Sequence, residues 1–178
     1  MESAIPMRRK RQSLPEETCI EVLERGTSGV LALNDPEQGV PYQVPVNYGY
    51  RDGRLTFHGA TVGHKVELLK ADPRASFTVI DQDQIVPEQY TSWFRSVVCT
   101  GRLRLLTDPD ERMDELMFMA ERFWPDHEEH ARAEIAGAFD HTAVLALDIE
   151  TMSGKEAAEL ARRRRAGELL GRAPRLPL

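Results

Sequence analysis

The sequence of 178 residues has only two cysteines and no long apolar run. Cys19 and Cys99 are far apart and lack a CxxC partner, so they cannot build a zinc cluster and indicate two reduced thiols. The longest apolar runs, such as residues 143–147, fall well short of the roughly 20 residues of a membrane helix. No apolar stretch follows the basic start, as a secretory signal would require. We therefore expect a cytoplasmic protein with no membrane partner.

The common signature motifs of catalysis are also missing. The sequence contains no GxSxG, no P-loop and no GxGxxG, so serine hydrolysis, P-loop phosphoryl transfer and Rossmann dinucleotide binding lack their usual support. The five histidines form no HExxH pattern. His127 and His130 are spaced i, i+3 and indicate a solvated helix face, so we expect no metal site.

The balance of charge argues against a nucleic-acid partner. Lys and Arg total 23 and Asp and Glu total 29, which gives a net charge of −6, whereas nucleic-acid-binding domains are usually basic. Two basic clusters, at residues 8–11 and 162–165, are interpreted as solvated ends. The length and the 41% hydrophobic content predict one domain over residues 15–166, with a flexible arm at 1–14 and a tail at 167–178.

Apolar periodicity predicts a mainly β fold with α additions. Alternating residues at 42–50 and an Asp-Gly turn at 52–53 are typical of antiparallel strands. Strands and helices do not alternate regularly, which disfavours a doubly wound α/β fold and favours a small barrel of about six strands. The predicted strands are 28–33, 42–50, 54–58, 75–81, 92–106 and 142–149, and the predicted helices are 15–25, 63–71, 108–123, 127–138 and 155–165.

The segment 56–65 carries the clearest sign of a ligand. A predicted strand ends, small residues follow, and a helix begins with His64 and Lys65. Glycines allow close backbone approach, and the N–H groups at a helix start favour an anion. Lys65 opposes the helix dipole in this first turn, so a nearby phosphate would account for it. A plain strand-turn-helix with an exposed lysine is the alternative, and His58 is either a structural histidine or a catalytic one.

Several segments follow one another in a recognisable order: residues 7–9 (MRR), 41–48 (PYQVPVNY), 57–60 (FHGA) with 63–65 (GHK), 96–101 (SVVCTG) and 152–156 (MSGKE). Together they resemble the pyridoxamine 5′-phosphate oxidase-like superfamily of FMN-binding split barrels, and within it the nitroimidazole-resistance branch. The resemblance covers about residues 7–156. It implies an antiparallel split β-barrel with flanking helices that binds FMN in two clefts at the interface of a homodimer.

The resemblance also assigns residues to the cofactor. The implied cofactor-binding positions are Pro45, Val46, Asn47, Tyr48, His58, Gly59, Ala60, Gly63, His64, Lys65 and Ser96. Among them, His64 and Lys65 match the pair that holds the phosphate, and Ser96 matches a polar strand residue that faces the flavin. His58 matches a histidine implicated in activity, so we expect it to be the catalytic residue.

Two departures from the family pattern refine the expected function. The chain ends without the arginine- and histidine-bearing segment that holds substrate phosphate in true pyridoxamine phosphate oxidases, which argues against vitamin B6 oxidation. His64 stands where relatives often carry arginine or lysine, so FMN affinity is predicted to weaken as pH rises.

We therefore expect an FMN-dependent oxidoreductase that takes electrons from a nicotinamide-type donor and reduces a small oxidant such as a nitroaromatic or quinone. The alternatives are a flavin carrier without turnover and a haem- or deazaflavin-binding relative on the same barrel.

Overall fold

The computed structural model describes residues 7–168, in which seven strands form one antiparallel sheet and five helices flank it. The strands are β1 (Ser28–Leu33), β2 (Tyr42–Asn47), β3 (Gly49–Arg51), β4 (Arg54–Ala60), β5 (Arg74–Val86), β6 (Thr91–Leu105) and β7 (Thr142–Glu156). The helices are α1 (Glu16–Arg25), α2 (His64–Ala71), α3 (Pro109–Phe123), α4 (Glu128–Ala138) and α5 (Ala158–Arg165). A short 3-10 turn, Lys10–Gln12, precedes α1.

The order of the strands makes the sheet a split barrel. Hydrogen bonding runs in the order β2-β1-β5-β6-β7-β4-β3, so β2 and β3 are the two edges. These two edges are consecutive in the chain and are separated by Tyr48 alone. The sheet must therefore curl until its edges come together, which leaves a gap between β2 and the β3–β4 hairpin. The predicted fold class is confirmed.

Tyr48 explains why the sheet has seven strands and not about six. The alternating segment at 42–50 was expected to be one strand, but it breaks at Tyr48 into β2 and β3. The Tyr48 side chain is fully buried, and its hydroxyl donates a hydrogen bond to the carbonyl of Leu23 in α1 at 2.8 Å. The ring also meets Phe77 edge-on, with 5.0 Å between centroids. This buried contact redirects the chain from one edge of the sheet to the other.

The interior of the barrel is apolar. Successive side chains of each strand point alternately into the barrel and out of it. In β4, Leu55 and Phe57 face the core, while Thr56 and His58 face outward. A smaller apolar cluster, which includes Leu106, Leu116, Val144 and Ala146, lies outside the barrel beneath α3. The central core residues include Leu31, Leu33, Phe77, Val97, Leu103, Leu145 and Leu147.

Local sequence signals were accurate where short-range chemistry decides the conformation. Asp52 and Gly53 both have positive φ (51° and 75°), as a two-residue type I′ hairpin requires. The Asp108 carboxylate caps α3 by accepting the N–H of Glu111 at 2.9 Å. Gly101 of β6 lies opposite a bulge in β7, where a Cβ would collide with the carbonyl of Asp148.

Long-range pairing extends some strands beyond their predicted ends. Lys155 and Glu156 were expected to begin the last helix, but they belong to β7, and α5 begins only at Ala158. This prediction was wrong because Lys155 pairs with Ser96 on β6 and forms a bridge with Ser13. In the same way β5 continues to Val86, since β6 pairs with it along its full length.

Part of the predicted arm contacts the barrel. The backbone N–H of Leu14 donates to the carbonyl of Gly154 at 2.9 Å, and the Leu14 side chain is buried.

Both cysteines are free thiols, and burial raises the pKa of Cys19 to about 11 and that of Cys99 to about 12. No helix within residues 7–168 has both the length and the apolar character needed to cross a membrane. Most of the predicted tail, from residue 169 onward, lies outside the described residues.

Candidate functional site

The end of β4 and the start of α2 form an anion-binding geometry. Gly63 is the residue before α2, and its φ of 132° is one that side-chain-bearing residues rarely adopt. The carbonyl of Gly63 accepts the N–H groups of Val66 and Glu67 and closes the first turn. The N–H groups of His64 and Lys65 precede these bonds and have no intrahelical acceptor, so they are available to an anion.

Lys65 is a half-buried cation that lies over Gly59. Its Nζ is 2.9 Å from the point where a Cβ on residue 59 would stand, so a side chain at this position would require the ammonium group to move. Burial lowers the pKa of Lys65. Within residues 7–168 no carboxylate lies within 4 Å of it, so a ligand with negative charge would supply the missing counter-ion.

His64 is held by an aspartate that the sequence analysis did not identify. Its Nε2 lies 2.7 Å from Oδ2 of Asp35, a side chain that is only 3% exposed. Hydrogen bonds from the backbone N–H of Gln38 and from His64 lower the pKa of Asp35. The imidazole also packs edge-on against the ring of Tyr42, with 5.0 Å between the ring centroids. Asp35 was interpreted only as part of a turn, because no local signal links it to a histidine 29 positions away.

The Asp35 contact determines which part of His64 can meet a phosphate. With Nε2 bonded to Asp35, Nδ1 is the remaining ring nitrogen, and it lies 3.9 Å from the carboxylate of Glu67. His64 is thus flanked by two acidic groups, whereas Lys65 has none. The expected role of His64 at the phosphate stays a prediction, and Lys65 is the stronger candidate.

His58 faces outward from β4, opposite Val144 of β7, and its side chain is only partly exposed to solvent. Partial removal from water, and secondarily the charge of Lys65, lower the pKa of His58. The ring is therefore neutral at pH 7, with one nitrogen that donates and one that accepts a hydrogen bond. Such a ring can orient a substrate or exchange a proton with it.

The segment Pro45–Tyr48 lies across the split from the end of β4. Gly49 pairs with Thr56, so extending this register would set Asn47 opposite His58. Instead β2 pairs with β1, and the chains diverge beyond Tyr48. Each strand then has one edge without a neighbouring strand in residues 7–168, and its backbone groups are free to bind a ligand. Val46 faces the core, while the Asn47 amide donates to the carbonyl of Thr27 at 2.9 Å.

Most of the predicted cofactor-binding residues therefore belong to the two segments that border the split, and their contact with a cofactor stays a prediction. Pro45, Val46, Asn47 and Tyr48 border one side of the split through their backbone, since the Tyr48 ring is buried in the core. The other side is bordered by His58, Gly59, Ala60, Gly63, His64 and Lys65.

Ser96 lies on β6, which does not border the split. Leu145 of β7 pairs with Phe57 on one side and with Leu105 on the other, so Phe57 and Leu105 lie at the same level of the barrel. Ser96 is nine residues from Leu105 along β6, which is roughly 30 Å of extended strand. In the other direction around the sheet, through β5 and β1, Ser96 is level with Asn47. It faces outward between Ile80 and Lys155.

Comparison with known proteins identifies the family. A profile described as pyridoxamine 5′-phosphate oxidase matches residues 15–156. An FAD-binding protein from Mesorhizobium loti is 26% identical, covers 82% of this chain and 97% of its own, and has a TM-score of 0.58. The flavocytochrome Anf3 from Azotobacter vinelandii is 22% identical over 88% of this chain and 74% of its own, with a TM-score of 0.76.

A candidate 5-nitroimidazole antibiotic resistance protein from Bacteroides thetaiotaomicron is 20% identical, with a TM-score of 0.66 over 81% of this chain and 86% of its own. No curated protein matches the sequence. The matched segment covers most of the chain and contains all seven strands, together with the residues on both sides of the split. The protein therefore belongs to the pyridoxamine 5′-phosphate oxidase family.

Proposed function

We propose that the protein binds flavin mononucleotide in the split between β2 and β4, with the cofactor phosphate at the start of α2. The observation that carries this proposal is Lys65, a half-buried cation without a carboxylate partner in residues 7–168, whose Nζ lies over Gly59. The free strand edges at Pro45–Tyr48 and at the end of β4 supply backbone donors and acceptors for the polar edge of the flavin ring.

The proposed activity is that of an oxidoreductase. A bound flavin would supply two-electron chemistry between a nicotinamide donor and a small oxidant such as a nitroaromatic or a quinone. Lys65 holds the phosphate and thereby fixes the position of the ring. His58, which is neutral at pH 7, orients the oxidant through a hydrogen bond and exchanges a proton at its imidazole nitrogens.

The complete site is proposed to need a second copy of the chain. Ser96 lies on β6, which is not one of the two strands that border the split, so we propose that its contact with the flavin is made in the site of the partner subunit. The outer face of β5 and β6 also exposes apolar side chains, with Ile80 58% and Val98 36% exposed. A twofold partner that covers this face would bring its own Ser96 toward the split.

The decisive experiment compares FMN with riboflavin, which has the same ring but no phosphate. Replacing Lys65 with glutamine removes a charge-assisted hydrogen bond worth about 1.5–3 kcal/mol, so FMN affinity should fall at least about tenfold. The affinity for riboflavin should not change. Lys70→Gln, an exposed position in the same helix, is the matched control. Equal losses for both flavins, or no loss for FMN, would contradict the phosphate assignment.

Anaerobic addition of NADH or NADPH to the FMN-loaded protein then tests turnover. Bleaching of the flavin bands supports a reductase, and its re-oxidation by a nitroaromatic or quinone identifies the acceptor class. A stable yellow protein that neither nucleotide bleaches would support the carrier alternative. Parallel titrations with FAD and haem, the latter followed by its Soret band, separate the remaining cofactor alternatives.

A further inference from the structure

The first turn of α2 has no side chain at its N-cap, because Gly63 occupies that position. Helices usually begin with a serine, threonine, aspartate or asparagine whose side chain accepts one of the first N–H groups. Such a cap would stabilise the turn, but it would also occupy an N–H group that the proposed phosphate site needs. Gly63 leaves these groups free and, at the same time, leaves the turn without its usual support.

The turn is supported from the side instead, through His64, the first residue of α2. Its Nε2 lies 2.7 Å from Oδ2 of Asp35, and its ring packs edge-on against Tyr42. Asp35 lies in the loop between β1 and β2, and Tyr42 is the first residue of β2. The first turn of α2, which follows β4 in the chain, is thereby attached to the opposite side of the split.

The carboxylate of Asp35 is held at both of its oxygens. Oδ1 accepts the backbone N–H of Gln38 at 3.0 Å, and Oδ2 contacts His64. The backbone carbonyl of Asp35 also accepts the N–H of Gly39 at 3.0 Å, which closes a turn within the loop. Only 3% of the Asp35 side chain is exposed. Asp35 is therefore a fixed point against which the His64 ring is held.

The charge of Asp35 also determines where the His64 ring carries its proton. The hydrogen bond from Gln38, and then that from His64, lower the pKa of Asp35, so its carboxylate is ionised at neutral pH. An ionised carboxylate only accepts hydrogen bonds, so Nε2 of His64 must hold a proton. The neutral ring is therefore the Nε2–H tautomer, and Asp35 fixes its orientation.

The other end of α2 is held in a different way. Leu68 and Leu69 are buried in the barrel core, so apolar packing fixes the C-terminal half of the helix. Nδ2 of Asn34 also donates to Oδ2 of Asp72, the residue after the helix, at 2.8 Å. Residues 61–64, in contrast, are all exposed. The position of the first turn therefore depends on the contact between Asp35 and His64.

We propose that Asp35 is a positioning residue for the flavin phosphate, which acts through His64 to hold the first turn of α2 in its anion-binding geometry. This inference rests on the proposed function, because it concerns the same phosphate. The contact fixes the backbone of the turn while the N–H groups of His64 and Lys65 stay free. A turn that is ordered before the ligand arrives binds it more tightly, because less conformational entropy is lost on binding.

Titrations with FMN and riboflavin test this role. Asp35→Ala should weaken FMN binding at least about fivefold, the equivalent of one hydrogen bond, and should leave the affinity for riboflavin unchanged. In the His64→Ala background the same substitution should have no further effect, because the two residues act through one contact. Asn34→Ala, which removes the contact at the other end of α2, is the matched control and should bind FMN like the wild type. A further loss in the His64→Ala background, or equal losses for FMN and riboflavin, would overturn the proposal.

Asp35→Asn provides a spectroscopic readout and preserves the loop. Its Oδ1 can still accept the N–H of Gln38, but its amide nitrogen presents a donor to His64. The neutral ring should then carry its proton on Nδ1 and no longer on Nε2. NMR of the ring nitrogens in the flavin-free protein, above the titration midpoint of the ring, distinguishes the two tautomers. An unchanged tautomer would show that Asp35 does not act on His64 and would overturn the proposal.

Amide hydrogen exchange separates a failure of this inference from a failure of the proposed function. In the flavin-free protein, Asp35→Ala should accelerate exchange at residues 64–67 and leave residues 68–71 unchanged. If Lys65→Gln weakens FMN binding but Asp35→Ala changes neither exchange nor FMN affinity, the phosphate site stands and only the role of Asp35 is wrong. If Lys65→Gln leaves FMN binding unchanged, the phosphate site itself is wrong, and the positioning role fails with it.

Discussion

At the scale of single residues, the relation between Lys65 and His58 determines the chemistry of the split. Both groups are partly removed from water, which lowers the pKa of each, and the charge of Lys65 lowers the pKa of His58 further. The two side chains therefore differ in charge at neutral pH. Lys65 stays charged at neutral pH and attracts an anion, while His58 stays neutral and can exchange a proton.

This coupling can be measured in the flavin-free protein. Replacing Lys65 with methionine removes the positive charge near His58, so the titration midpoint of the His58 ring should rise. The midpoint is followed by NMR from the imidazole carbon protons. Lys70→Met, which removes an exposed charge from the same helix, is the matched control and should leave the His58 midpoint unchanged. An unchanged midpoint for His58 would show that Lys65 does not act on it.

The lowered pKa of His58 also predicts how stability depends on pH. The unfolded chain binds the proton at about pH 6.5, whereas the folded chain resists it until lower pH. His58 should therefore lower the free energy of unfolding as the pH falls below about 6.5. Above that pH it should add no pH dependence to the free energy of unfolding. Urea unfolding of the wild type and of His58→Gln at pH 5 and pH 8 should show a stability difference that changes with pH in this direction.

Turnover measurements test the proposed catalytic role of His58. His58→Gln should reduce turnover with a nitroaromatic acceptor while leaving FMN bound, because His58 is assigned to the substrate and not to the phosphate. The bound FMN is measured from the flavin absorbance of each variant. Unchanged turnover would remove His58 from the catalytic role.

At the scale of elements, the start of α3 is governed by one carboxylate. Asp108 accepts the N–H of Glu111, and Pro109 occupies the first helical position, which needs no N–H partner. Asp108→Ala should lower the free energy of unfolding by about 1 kcal/mol, the usual cost of losing an N-cap. Asp108→Asn keeps the acceptor and should remain close to the wild type. Urea denaturation measures both, and equal losses in the two variants would argue against the cap.

Elements of this kind could be predicted because their signals are local. The bounds of β1 and the start of α3 follow from apolar patterning, a cap and a proline within a few residues of one another. The ends of β5 and β7 could not be predicted, because their last residues are strands only through pairing with β6. The same limit applies at the site: glycine and lysine positions were visible in sequence, but the contact of Asp35 with His64 depends on the folded loop.

At the scale of the whole molecule, a buried charged network connects distant parts of the barrel. Arg95 contacts Asp81 of β5 at 3.2 Å and Glu156 of β7 at 3.3 Å. Asp81 also accepts two hydrogen bonds from Arg25 of α1, and Glu156 accepts one from Arg164 of α5. Three strands and two helices therefore share one set of ion pairs.

Removing the central member of this network should be costly. Arg95→Met leaves two buried carboxylates without one of their cationic partners, which should lower the free energy of unfolding by about 3–5 kcal/mol. Arg102→Met, an exposed position on the same strand, should cost less than about 1 kcal/mol. Chemical denaturation distinguishes them, and similar small losses in both would contradict a structural role for the network.

The assembly of two chains is the remaining prediction at this scale. Because Ile80 and Val98 are exposed on the outer face of β5 and β6, Ile80→Glu should convert a dimer to a monomer and weaken FMN binding as well. Val40→Glu, an equally exposed loop position, is the control. Analytical ultracentrifugation reports the mass, and a monomeric wild type that binds FMN as tightly as proposed would refute the shared site.

The strand order also determines when the split between β2 and β4 can form. The β3–β4 hairpin is joined to the rest of the sheet only through β7, and Arg54 must pair with Asp148, 94 positions later in the chain. On the ribosome, β2 can pair with β1 early, but β4 has no partner for its outer side until residues 142–156 have been synthesised. The two walls of the split therefore come together only in the last stage of folding. A ligand that needs both walls of the split can therefore bind only after synthesis of the chain has passed β7.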